Sequence, residues 1–419
     1  MESLWRKDII GLDLHDGEVG GPLGELKANK SWGQAPIGFL GIHMRIEATV
    51  LVNGSEERKV SLFAKRPPAT DSHSAFVASC GLFRREATMY TSFAPRLKAA
   101  LPPGVALPVA DCYFARGEDS REDLIVMEDL RGGGYKMDDK KIPMDLARCR
   151  VVLDALARLH GASVLMERSA GPLYEKGEFQ RIEEAVFVDD MSNPSCRWSR
   201  SSAETFASVA SHVWPHRFGD EAAKAKLFEA AWMGWKEIFR AVRPSERYLN
   251  VLCHGDTWAN NIMFREGSGG NVEVVLVDFQ QYRYAPPVMD ILFFLHSTTR
   301  REFRDRHLED LLQYYREALS SVVSPELADQ LLPLDDLRKS AEELRVFGRL
   351  LATSLLSVVL LSDEEGIEAP ESDGKGDFIE NMVRNRSEDV LRGIAKDDST
   401  KERILESFQE FLESVGLWE

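Results

Sequence analysis

Between Val251 and Phe264 the chain reads VLCHGDTWANNIMF, with Asp256 and Asn261 set among apolar neighbours. Aspartate and asparagine are poor strand formers, so their place in such a run calls for a reason beyond packing. A further carboxylate, Asp278, closes the apolar stretch VEVVLVD. Polar side chains at the ends of short strands can converge in one cleft. There one carboxylate orients an attacking hydroxyl and accepts its proton. The other carboxylate, with the amide oxygen, holds Mg²⁺, a cation that prefers hard oxygen ligands. These are the parts for phosphoryl transfer from a nucleotide. Taken singly, each residue reads as well as a turn former or a cap; the ordered set carries the chemistry.

Upstream, Lys65 ends the strand-like KVSLFAK and Glu86 lies in the helical pattern that follows. A lysine there suits the phosphates of a nucleotide, and the glutamate can pair with it. Alone, the one reads as a solvent-exposed lysine and the other as a surface glutamate.

The elements that would position these groups follow from periodicity. GFLGIHMRIEATVLV (38–52) and KVSLFAK (59–65) read as a hairpin turning at Asn53-Gly54. Residues 74–93 read as one helix anchored by Phe76, Leu82, Phe83, Met89, Tyr90 and Phe93. VALPVADCYFA and DLIVMEDL read as strands, and Gly132-Gly133-Gly134 as a joint. Beyond it the pattern is helical over 145–167, 201–213, 220–242, 287–318, 335–362, 377–395 and 400–415, with β content near 260–279 and an acidic connector at 363–377. The expected architecture is therefore a small β-rich lobe with one main helix followed by a large helical lobe. The domains are 1–129 and 130–419.

The 419 residues are 44% hydrophobic and 29% charged, a globular composition. No apolar run approaches the ~20 residues of a membrane span, and the N-terminus does not read as a signal peptide. The net charge of −16 opposes nonspecific binding to nucleic acid or anionic membrane. Five cysteines are scattered without a C-x-x-C pair, as suits reduced thiols in the cytoplasm. Cys253 and His254 are neighbours on an extended segment and point to opposite faces, which excludes a thiol–imidazole pair.

Four stretches together resemble the ecdysteroid kinase-like family of small-molecule kinases, within the protein-kinase-like fold. They are FRREATMY around Glu86, LARLHGAS around His160, CHGDTWANNIMF, and LVDFQQYRYAPPVMDILFFLHSTT with Asp278 and Asp290. The resemblance implies an α+β, bilobal, protein-kinase-like fold and an ATP- and Mg²⁺-dependent kinase of a small-molecule hydroxyl, an ecdysteroid or similar steroid alcohol being the implied acceptor. It implies Asp256 as catalytic base, Asn261 and Asp278 as Mg²⁺ ligands, Lys65 on the phosphates and Glu86 holding Lys65. Met127, Glu128, Asp129 and Leu130 become the hinge against adenine. His254 and Asp290 become structural supports of the catalytic loop, and His160 a packed helix residue. The phosphate-covering turn falls in SWGQAPIGFLG, with Gly38 assigned to the nucleotide; Gly33, Gly38 and Gly41 do not form G-x-G-x-x-G, and a hairpin without ligand role is the alternative. Detoxification of foreign alcohols or phenols and a ligand-binding pseudokinase are the rival functions. For the acceptor, Phe187, Trp198, Trp214, Phe218, Trp232, Trp235 and Tyr248 offer aromatic walls within 170–250, with a helix core as the alternative. Glu183, Glu184, Asp189 and Asp190 would instead draw a cationic acceptor.

Overall fold

The computed structural model describes residues 29–31, 41–52, 56–68, 71–169, 179, 182–361 and 378–418. Gly38 with the turn around Gly33, the Asn53-Gly54 turn and the connector 363–377 lie outside the described residues. The chain divides into two compact units. One comprises Met1–Pro95, Val109–Lys136 and Met263–Gln280; the other comprises Arg96–Pro108, Met137–Ile262 and Gln281–Glu419.

The first unit is built on a five-stranded sheet in the order β1-β2-β3-β5-β4, antiparallel throughout. The strands are β1 (Asn29–Ser31), β2 (Ile42–Val52), β3 (Glu56–Arg66), β4 (Cys112–Arg116) and β5 (Leu124–Glu128). Alternation along β3 sets its two faces. Leu62 and Ala64 are buried with Val126 of β5, and Met44 and Ile46 of β2 pack against them. Phe63 and Lys65 project from the other side. The single helix expected over 74–93 is three pieces: α1 (Asp71–Ser79), α2 (Leu82–Thr88) and a π-helical turn at Met89–Phe93 running into α3 (Ala94–Ala100). The interruption is Gly81, at φ +61°, a left-handed backbone that ends α1 and starts α2. Strand VALPVADCYFA shortens to Cys112–Arg116, and the Gly132–Gly134 joint is a turn that stays inside this unit.

The second unit is helical. Its long helix α4 (Leu146–Ser169) buries Cys149, Val152, Leu153, Leu156, Leu159, His160 and Ser163 and covers the helical pattern read over 145–167. Next come α5 (Pro194–Val213), the single turn α6 (Pro215–Phe218), α7 (Glu221–Ala241), α8 (Val288–Thr298) and α9 (Arg301–Val323). Every residue of α8 is buried, the polar Asp290, His296, Ser297 and Thr298 included. The sequence pattern joined α8 and α9 into one helix. Thr298 and Thr299 break it: their hydroxyls bond back to the carbonyls of Phe294 and Leu295, each at 2.6 Å, and Arg304 Nη1 donates to the Thr299 carbonyl at 2.6 Å. Such side-chain bonds compete with continuation of the helix. The 335–362 pattern likewise divides at Leu344, and 377–395 between Val383 and Ser387. Two short strands, Val251–Cys253 and Arg283–Ala285, pair antiparallel in this unit.

The aromatic residues expected to line an acceptor pocket mostly pack on one another. Trp235 has no exposed surface. It meets Trp198 edge-on at 5.4 Å between centroids, Phe187 at 6.0 Å and Phe239 at 6.3 Å. Trp214 packs on Trp418 at 4.7 Å. For Trp235 and Phe187 these are core contacts, which favours the helix-core alternative over free ligand walls at those two positions; Trp214 is half-buried. The Trp235 indole N–H is buried without a hydrogen-bond partner among the described residues. Trp235→Ala should therefore lower unfolding free energy by about 3–5 kcal/mol, and Trp235→Phe by much less, in urea titrations. A variant Trp235→Ala of unchanged stability would contradict the core assignment.

Candidate functional site

In the first unit, β3 delivers Lys65 into a buried cluster. Its ammonium donates to Glu86 Oε2 of α2 at 2.8 Å and to Asp278 Oδ1 at 2.7 Å. Gly41 makes room for the lysine stem: a Cβ there would lie 3.2 Å from Lys65 Cε and 3.1 Å from the Arg66 carbonyl. Asp278 sits just past the strand Val272–Leu276 at φ +65°. That left-handed conformation is unfavourable for a side-chain-bearing residue and is typical of strain held at functional positions. Gln280 Nε2 donates to Asp278 Oδ2 at 3.2 Å. The side chains of Lys65 and Glu86 are 4% and 2% exposed, that of Asp278 24%. Glu86 is thus sealed on the lysine, while Asp278 keeps an open side.

The electrostatics are uneven. Burial disfavours the Lys65 charge, but Asp278 and Glu86 overcome it and hold the ammonium protonated well above the usual lysine range. Burial pushes the Glu86 carboxyl up to about 7, with Asp278 adding to the rise and Lys65 opposing it. One cation shared between two carboxylates leaves the cluster short of positive charge.

In the second unit the loop His254–Asn261 is organised by Asp290 of α8. Its carboxylate accepts the backbone N–H of His254 at 2.6 Å and of Gly255 at 2.8 Å, and its carbonyl accepts the Thr257 hydroxyl at 3.0 Å. His160 Nε2 lies 3.1 Å from Asp290 Oδ2, and His160 Nδ1 lies 2.8 Å from the Tyr315 hydroxyl. Burial acts to raise the Asp290 pKa. Hydrogen bonds from His160 and Gly255 and the fields of His160 and His254 outweigh it and hold the carboxyl below its usual value. Gly255 is at φ +84°, and a Cβ there would stand 2.1 Å from the Gln281 carbonyl, so only glycine fits. His254 Nδ1 accepts the Asp256 N–H at 3.2 Å. Asn261 Nδ2 donates to Asp256 Oδ2 and to its carbonyl, both at 2.9 Å. With its nitrogen so engaged, the Asn261 oxygen is the atom left to meet a cation. Asp256 is half-buried and Asn261 buried.

Met127 is buried on β5 beside the Tyr90 hydroxyl, 3.9 Å from its sulfur. Glu128 accepts the Asp111 N–H at 2.9 Å, and the Leu130 carbonyl accepts that of Tyr135 at 2.9 Å. Asp129 takes the Ser61 hydroxyl at 2.6 Å and Arg45 Nε at 2.8 Å, a tie between β2, β3 and the segment after β5 that the motifs did not disclose. Also missed was Arg283, buried and paired to Glu184 at 2.9 Å. Glu184 is held low by that guanidinium against the opposing effect of burial, and its Oε1 accepts the N–H of Val186 and Phe187. It is a structural carboxylate, which removes it from the acidic set considered for a cationic acceptor. The donor atoms of His160, Cys253 and Asp290 lie within 4.8 Å of one another. Burial and the nearby Asp290 push the Cys253 thiol well up, however, and it donates to the carbonyls of Ala285 and Pro286 at 3.4 and 3.5 Å. With the thiol engaged by these carbonyls and His160 paired to Asp290 and Tyr315, the three groups read as a packed polar cluster.

The site thus has two parts, a strand lysine clamped by a helical glutamate and an H-G-D-x-x-x-x-N loop anchored by a buried aspartate. The chain belongs to the ecdysteroid kinase-like family, whose sequence profile matches residues 38–324. It is 30% identical over 102 residues to an N-acetylmuramate/N-acetylglucosamine kinase of Caulobacter vibrioides, covering 24% of this chain and 27% of that protein. The chain thus spans about a quarter of the length of this curated relative. Among solved structures it is similar to a Plasmodium vivax ethanolamine kinase, with 13% identity, coverage of 89% of this chain and 83% of the other, and a TM-score of 0.37. A Streptomyces rimosus aminoglycoside phosphotransferase in complex with ADP and streptomycin gives 13% identity, 70% and 90% coverage, and a TM-score of 0.31.

Asp290→Ala should destabilise the protein by about 3–5 kcal/mol, because it strands two buried N–H groups and the His160 ring. The lowered carboxyl makes its contribution in full above the ordinary aspartate range near pH ~4 and loses it as pH falls through the lower folded value. The melting-temperature gap between wild type and Asp290→Ala should narrow in acid. A gap that widens in acid would contradict the assignment.

Proposed function

We propose that the protein is an ATP- and Mg²⁺-dependent kinase that phosphorylates a hydroxyl of a small molecule, an ecdysteroid or similar steroid alcohol. The observation that carries this is the Lys65–Glu86–Asp278 cluster. It holds an ammonium beside a carboxylate with an open side, an arrangement that supports a role toward nucleotide phosphates. Lys65 would contact the phosphates and Glu86 would hold Lys65. The segment from Met127 to Leu130 would face adenine. Residues 1–129 would form the nucleotide-binding lobe and 130–419 the catalytic and substrate-binding lobe.

The donors fit a hard cation. Asp278 offers carboxylate oxygen and Asn261 its amide oxygen, the ligand types Mg²⁺ takes alongside nucleotide phosphates. Held by such ligands, a divalent cation would supply charge neutralisation for the transferred phosphoryl group. Asp256 orients the acceptor hydroxyl and takes its proton. The bond from acceptor oxygen to γ-phosphorus forms, the bond from γ-phosphorus to the bridging oxygen breaks, and ADP leaves. His254 and Asp290 act on this step only through the position of Asp256. The family to which the chain belongs supports the steroid class. The proposed compartment is the cytoplasm: the cysteines are free thiols, and among the described residues no helix is long and apolar enough to cross a membrane.

The test offers purified protein MgATP with an ecdysteroid, other neutral alcohols, an aminoglycoside and choline, reading ADP release and product mass. Phosphorylation of the neutral alcohols, the ecdysteroid foremost, is expected. Efficient turnover of the cationic acceptors alone would overturn the acceptor assignment. Asp256→Asn should bind ATP as the wild type does and turn over about 100-fold more slowly, at the low end of general-base effects. A large loss of ATP affinity at near-normal rate would reverse the roles.

A further inference from the structure

In the second unit, α5 and the helix Arg345–Val359 enclose a small cavity together with the segment that starts at Phe378. Its volume is about 20 Å³, above the ~10–15 Å³ that one water-sized guest needs. Hydroxyls line it from both helices: Ser202 and Thr205 from α5, and Thr353, Ser354 and Ser357 from the other. Arg386 completes the polar lining, and among the described residues no carboxylate lines it. Part of this lining is already engaged. The Thr205 hydroxyl accepts the Arg386 backbone N–H at 2.9 Å, while Thr353 and Ser357 donate to the carbonyls of Ser407 and Thr353. Arg386 Nε is buried and has no hydrogen-bond partner among the described residues. The hydroxyls of Ser202 and Ser354 donate to no described residue either. Orphaned buried polar atoms are rare and call for an explanation.

The charge on Arg386 is also unmatched. Asp389, whose field reaches it, already accepts Arg384 and Arg392, each at 2.6 Å. Burial first, then the like charge of Arg384, holds the Arg386 guanidinium below the usual arginine range, against the pull of Asp389. A water in the cavity would satisfy a donor and leave the charge as it is, whereas buried charges are normally paired. The donors and the charge call for an anion, and the volume limits it to a monatomic one. We propose that the cavity binds one small monovalent anion of chloride size between Arg386 Nε and the hydroxyls of Ser202 and Ser354. The ion would fasten the Phe378–Arg386 segment to the two helices, a site separate from the Lys65 cluster and independent of the kinase reading.

Thermal unfolding at constant ionic strength tests it, with chloride replaced stepwise by gluconate, which is too large for the cavity. An ion that binds only the folded chain should raise the melting temperature of the wild type by about 2 °C for each tenfold rise in chloride above its dissociation constant. Bromide should act in the same way. Arg386→Gln and Ser354→Ala should lose most of this response. Chloride NMR on the wild type gives a second readout that needs no variant: the line should broaden on addition of protein and sharpen again when bromide competes. Equal stability of the wild type in chloride and gluconate would overturn the proposal and leave the cavity to water. A chloride response unchanged in Ser354→Ala and in folded Arg386→Gln would overturn it too, by placing the ion elsewhere.

Discussion

A buried ammonium governs the first unit. Lys65 is 3% exposed, and a charge so placed is tolerable only when paired and hydrogen-bonded. Two carboxylates meet that demand from distant parts of the sequence, one on α2 and one after the strand Val272–Leu276. Much of the local structure follows. β3 must end in register with β2 so that the lysine stem lies over Gly41, α2 must present Glu86 inward, and Asp278 must accept a left-handed backbone. Removing one carboxylate would leave a poorly compensated cation; removing the lysine would leave two like charges facing each other. The cluster as it stands has more carboxylates than cations.

The second unit solves a comparable problem with hydrogen bonds. Asp290 is 1% exposed and His160 and His254 have no exposure at all. Asp290 satisfies two backbone N–H groups of the loop and faces His160, which in turn meets Tyr315. Such a connected polar network is stable where a half-satisfied one is not. It fixes the loop from a helix buried on every side, so Asp256 and Asn261 hang from a rigid support. The pairing of Asn261 with Asp256 then sets which way the amide points.

The sequence exposed those features that leave a local signature. Alternation gave β2, β3 and β5; the helical pattern over 145–167 gave α4; and motif order brought Lys65, Glu86 and Asp278 into one argument although 21 and 213 residues separate the lysine from its partners. Interruptions were harder. Gly81 breaks the 74–93 pattern without disturbing its apolar spacing, and Thr298 and Thr299 end α8 through hydroxyl bonds that periodicity does not register. Aromatic spacing gave no means of separating a core residue such as Trp235 from a pocket wall. The Arg283–Glu184 and Arg45–Asp129 pairs stayed hidden because an ion pair between distant residues has no sequence pattern.

The account depends on Lys65 and Glu86 acting as one unit, and a double-mutant cycle measures that directly. MgADP affinity and turnover of wild type, Lys65→Met, Glu86→Gln and the double variant give the coupling between the two positions. Strong non-additivity is predicted, with the double variant about as impaired as Lys65→Met alone. Independent losses that simply add would contradict the central claim that Glu86 works through its hold on Lys65.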